Sequence, residues 1–122
     1  MFFSASGWLA AFLLTLAVEL PVAAFLLRRA EPDRLRLALL IVYANLATHP
    51  LVWFVLSQFA LVGTATYVLL AESWAIAAEA LFYWITLRGL PARRALAVSL
   101  AANASSFLVG QLVGNMWPEL FR

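Results

Sequence analysis

Apolar residues run along this chain in four long blocks, roughly Trp8–Leu27, Leu35–Leu56, Thr66–Leu87 and Ala95–Trp117, separated by short joints. Each block is about 20 residues long, the length an α-helix needs to cross the hydrocarbon core of a bilayer. Polar residues inside the blocks are few, and they fall at helical spacing. In the third block Glu72, Ile76, Glu79, Tyr83 and Thr86 line one side, and in the fourth Ser99, Asn103, Ser106, Gly110 and Gly114 do the same. Asn45, Thr48 and His49 share about one turn of the second block, and Thr15 lies one turn from Glu19 in the first. The pattern predicts an all-α membrane protein, with residues 1–122 forming one domain of four transmembrane helices. The first block is expected to stay as a helix rather than serve as a signal peptide. It is too long for a signal-peptide core, and Met1–Ser4 ahead of it carries no Lys or Arg.

The buried polar positions repeat. Glu19 precedes Arg28 by nine residues and Glu79 precedes Arg88 by nine; Arg36 precedes Asn45 by nine and Arg94 precedes Asn103 by nine. A hydroxyl follows each Asn at the third position, Thr48 and Ser106. The chain therefore reads as two tandem helix hairpins, about 8–56 and about 66–117, related by a pseudo-two-fold along the membrane normal. Nine residues of helix rise place Glu19, Asn45, Glu79 and Asn103 about 13.5 Å from their arginines, near the bilayer midplane. Pro21 and Pro50 occur only in the first hairpin, where the second has Leu81 and Leu108, and Phe107 stands where the first has His49.

Composition narrows the class further. Hydrophobic residues make up 66% and charged residues 11%, against roughly 45–50% and about 25% in a soluble domain. Such a chain cannot cover a soluble fold with polar side chains, and the excess of eight basic residues over six acids implies no nucleic-acid partner. Seven of the eight arginines (28, 29, 34, 36, 88, 93 and 94) cluster at the first and third joints, whereas the middle joint is uncharged. The positive-inside bias then puts the Arg-rich joints in the cytoplasm and both termini outside, in a membrane of the bacterial inner-membrane type. Trp8, Trp53, Trp74 and Trp117 fall toward the outer ends, where an aromatic belt belongs.

Absent chemistry is informative too. There is no cysteine and a single histidine, which excludes disulfides, thiolate metal sites, bis-histidine haem and a three-histidine zinc site within one chain. No phosphate-cradling glycine loop or Gly-x-Ser-x-Gly nucleophile turn is present. What remains is an acid and amide layer inside the membrane, and an intramembrane acid is by default a functional-site hypothesis. The candidate ligand- or ion-binding residues are Glu19, Asn45, Thr48, His49, Glu72, Glu79, Asn103 and Ser106. The expected function is binding or translocation of a proton or small cation. An accessory subunit of a larger membrane complex and an intramembrane enzyme acting on a lipid or isoprenoid are the alternatives. Within the layer, Glu19, Asn45 and His49 are expected to form the working site, with Glu79 and Asn103 as its supporting half. Oxygen donors of this kind suit a hard cation, and the sequence leaves both metal and cofactor open. Gly110-x-x-x-Gly114 is expected to let the fourth helix approach a neighbour closely. The expected partners are the lipid bilayer and either a second copy of the chain or another membrane subunit.

Overall fold

The computed structural model describes residues 5–122, and the flank Met1–Ser4 lies outside the described residues. These described residues are helical apart from short joints, and no strand occurs among them. Helix α1 spans Ala5–Leu27, α2 Arg34–Phe59, α3 Ala65–Thr86 and α4 Ala92–Met116, each long and apolar enough to cross a membrane. This is the build of an integral membrane protein. The boundaries fall within a few residues of the apolar blocks.

Local chemistry sets the ends. Asp33 caps α2, its carboxylate accepting from the Arg36 N–H at 3.1 Å. Glu31 ties the same joint together, accepting from the Asp33 N–H at 3.0 Å and from the Arg36 guanidinium at 2.6 Å. Thr64 caps α3 by accepting from the Tyr67 N–H at 3.3 Å. Gly89, with φ +78°, supplies the left-handed turn between α3 and α4. Pro91 heads α4, where a missing N–H costs nothing.

Helix α2 is not uniform. It is α-helical over Arg34–Pro50, widens to a π-helix over Leu51–Leu56, and ends with a turn of α-helix at Ser57–Phe59. The widening starts directly after Pro50, whose ring removes a donor from the ordinary hydrogen-bond ladder. The Tyr67 hydroxyl of α3 donates to the Val52 carbonyl at 3.0 Å and so satisfies an acceptor inside the widened stretch.

The four helices close into a ring in which each packs on its two sequence neighbours, with α4 returning to α1. The packed core occupies the end near the arginines. Ala23 and Leu27 of α1, Leu37 and Ile41 of α2, Tyr83 of α3, and Ala95, Val98 and Ala102 of α4 interlock there with Leu87 and Leu90. Around the outside, large apolar side chains such as Leu13, Phe25, Leu69 and Leu108 are exposed, as lipid contact requires. Trp74 and Trp117 are also exposed, whereas Trp8 packs inward against Phe12, Phe54 and His49. After α4, the short turn Pro118–Phe121 folds back against α1 and α4.

Candidate functional site

Glu19 and Glu79 occupy the middle of the bundle, each 1% exposed. The two side chains come from helices that face each other across the ring, α1 and α3, and lie close enough to interact electrostatically. Glu79 is fully engaged: one carboxyl oxygen accepts from the Thr48 hydroxyl at 2.9 Å, the other from the Asn103 amide at 2.9 Å. Glu19 accepts from the Ser106 hydroxyl at 2.6 Å through Oε1, while its Oε2 is buried without a hydrogen-bond partner. Asn103 also donates to the Ser99 carbonyl at 2.9 Å, and Asn45 donates to the Ile41 carbonyl of its own helix at 3.1 Å. Those backbone anchors fix the two amides on the face that helical spacing assigns them.

Above this layer, away from the arginines, the bundle is hollow. A cavity of about 400 Å³ extends from the two acids to the joint between α2 and α3, its lining reaching Gly63, Asn115 and Phe121. All eight candidate residues line it: Glu19 on α1; Asn45, Thr48 and His49 on α2; Glu72 and Glu79 on α3; Asn103 and Ser106 on α4. Glu72 stands about two turns, or about 10.5 Å, outward of Glu79. No arginine is among the lining residues.

The grouping within the layer differs from the expected one. Asn103 does pair with Glu79, but the hydroxyl that holds Glu19 comes from Ser106, on the opposite hairpin. His49 does not pair with an acid. Its Nε2 lies 3.5 Å from the Thr15 hydroxyl, Nδ1 has no partner, and the ring is packed among Trp8, Phe12 and Trp53 with centroids 5.3–6.4 Å away. The reason is angular. One residue advances a helix by about 100°, so when Thr48 points at Glu79 its neighbour His49 is turned toward the outer part of α1. Glu79 rather than Glu19 therefore has the more complete set of partners.

Comparison of the chain with protein-family models, with curated proteins and with solved structures found no match.

Several lining residues carried a different expectation. Gly110 and Gly114 face the cavity rather than a closely packed helix. A methyl group built at Gly110 would meet nothing within 4 Å, and one at Gly114 would stand 3.6 Å from the Phe121 ring. Their place on the same stripe as Asn103 and Ser106 is the sequence signal that could have assigned them to the polar interior. Trp53, expected in an aromatic belt, lines the cavity together with Tyr67, Phe107 and Phe121. Tyr83, fully buried one turn beyond Glu79, marks where the hollow half ends and the packed half begins; its hydroxyl has no partner. Among the described residues, no three His, Asp or Glu side chains converge as a metal-binding group.

Chemically, the cavity offers carboxyl, amide and hydroxyl oxygens and the His49 imidazole, with no Lys or Arg in its lining. Two acids buried together lack the solvation that would stabilise a pair of negative charges. Charge balance in this layer calls for a proton or for a cation brought from outside.

Proposed function

We propose that this chain binds protons or small cations at the Glu19–Glu79 layer and passes them across the membrane. The observation that carries the reading is the pair of buried acids at one end of a cavity, with a packed core on the arginine side of them. A cavity on one side with a packed barrier on the other is the arrangement a stepwise carrier needs. Glu19 Oε2 has no hydrogen-bond partner, so a proton or cation at this carboxyl would complete its contacts.

The same reading includes the duplicated architecture: two hairpins, about 8–56 and about 66–117, around a pseudo-two-fold along the membrane normal. Reciprocal hydrogen bonds support it. Thr48 of the first hairpin donates to Glu79 of the second, and Ser106 of the second donates to Glu19 of the first. Each hydroxyl lies three residues after an asparagine that is itself buried in the layer. The arginine clusters orient the packed end toward the cytoplasm and both termini outward, in a bacterial-type inner membrane. Because four helices make a narrow bundle, the working unit is a homo-oligomer or a complex with another membrane subunit.

The two other functional readings draw less from the geometry. A purely structural layer gives no reason for a cavity at its centre, and Gly110 and Gly114, the expected helix-contact motif, line that cavity instead. An acid–imidazole pair for lipid chemistry has His49 turned toward Thr15 and aromatic rings.

Proteoliposomes containing wild type, Glu19→Gln or Glu79→Gln provide the test. Proton or alkali-cation flux above that of empty vesicles is expected from wild type and is lost in both variants. Equal flux from all three overturns the proposal.

A further inference from the structure

The cavity above the acids is much larger than a bare ion requires. A hard cation such as Ca²⁺ is held by six to eight oxygens at about 2.3–2.6 Å, a shell that closes tightly around it. Here the volume is about 400 Å³, within the roughly 300–1,000 Å³ typical of small-molecule sites. Along α3 the cavity wall runs from Glu79 to Tyr67, about 18 Å by helix rise.

Its chemistry is graded along that length. Buried acids form the floor, and Glu72 stands part-way up the wall. Rings of Trp53, Tyr67, Phe107 and Phe121 line the sides, and the remaining wall mixes small and aliphatic residues with Thr15, Gln111 and Asn115. The Tyr67 ring is held in place by its hydroxyl's bond to the Val52 carbonyl. Aromatic faces attract an ammonium group within about 6 Å, most strongly where water is excluded. Glycine at position 110 leaves open space on the α4 wall between Phe107 and Gln111.

Resting on the reading of the acids as a proton- or cation-binding pair, we propose that the cavity's ligand is an organic cation. It is an ammonium group carrying an apolar body, with the charge set toward Glu19 and Glu79 and the body along the aromatic wall. Glu19, whose Oε2 has no hydrogen-bond partner, lines the cavity floor and supplies the counter-charge. A neutral molecule of the same shape leaves the acid without a counter-charge, and an anion meets three carboxyl groups with no arginine among them. Simple alkali cations fill too little of the space to use the aromatic surface.

The test is calorimetric titration of the protein in nanodiscs, corrected against empty nanodiscs. The probes are benzyltrimethylammonium, its neutral carbon isostere neopentylbenzene, and sodium chloride. Benzyltrimethylammonium is expected to bind at least about tenfold more tightly than neopentylbenzene, the size of effect that one buried charge contact supplies. Glu19→Gln, nearly identical in shape, should remove that preference. Gly110→Phe, which places a ring in open cavity and leaves every acid intact, should abolish binding while the protein remains folded by circular dichroism. Wild-type affinity in Gly110→Phe overturns the placement in the cavity. If benzyltrimethylammonium binds no better than neopentylbenzene while glutamate-dependent proton or sodium flux persists in vesicles, the ligand class is wrong and the acid pair stands. If that flux is also absent, the underlying reading falls with it.

Discussion

The two ends of this bundle are built from the same four helices and pack in opposite ways. Toward the arginines, small and branched side chains interlock around Tyr83, and the interior is filled. Toward the α2–α3 joint, the same helices stand around a cavity of about 400 Å³. In a bilayer the hydrophobic effect does not press helices together, so association depends on close packing and on buried polar contacts. The filled end supplies the packing, the layer at Glu19 and Glu79 supplies the polar contacts, and the far end is left free to hold something. Helices of one bundle can thus divide cohesion and binding along their length.

Cysteine labelling gives the sharpest contrast between the ends, because the natural chain has no cysteine. Gly110→Cys, in the cavity wall, is expected to react fully with a water-soluble, membrane-impermeant thiol reagent. Ala23→Cys, in the filled end, should not react in the folded protein. Reaction at both positions would mean that the filled end is open to water. In vesicles of defined orientation, labelling of Gly110→Cys from the outer side alone also tests the proposed orientation.

Matched truncations follow in size. Leu27→Ala removes a fully buried side chain from the filled end and should cost roughly 2–5 kcal/mol of unfolding free energy, the range for large-to-small changes at packed sites. Leu14→Ala, at the cavity wall, should cost under about 1 kcal/mol, since it enlarges an existing space and leaves few contacts unmet. Equal costs in a reversible unfolding assay would erase the distinction between the ends.

The smallest effect has the opposite sign. Gly110→Ala places a methyl group where nothing lies within 4 Å and removes a helix-interior glycine. It should stabilise the protein by about 0.5–1 kcal/mol, the backbone advantage of alanine in a helix. A destabilised variant would show that the cavity wall at this position is closed rather than open.

Much of this arrangement was legible before any coordinates. Length and apolar continuity are local properties, so the four helices and their ends followed from the blocks. Helical spacing alone grouped the candidate residues of each helix on a shared face; that all eight line one cavity is seen only in the fold. Partner choice was not legible, because it depends on how helices rotate against each other. Asn103 reaches Glu79 as expected, yet Glu19 takes its hydroxyl from Ser106, 87 positions away in sequence. His49 illustrates the same limit: its register beside Thr48 was clear, but only packing turns it into the Trp8, Phe12 and Trp53 rings. The cavity itself left a fainter trace. Glycines on a polar stripe fit either a close helix contact or an empty space, and spacing cannot distinguish the two.

The widened stretch at Leu51–Leu56 has a consequence for how this helix tolerates change. Bonding from i to i+5 accommodates one more residue per turn than the ordinary ladder. The stretch therefore behaves as an insertion already absorbed into the helix. Deleting one residue there restores a regular α-helix without shortening the span by more than about 1.5 Å. The same deletion at Asn45 or Ile41 would swing every side chain beyond it by about 100° and disperse the polar face. Length variation in α2 is thus cheapest just past Pro50, beside the cavity, where it re-aims Trp53 and leaves the acids in place.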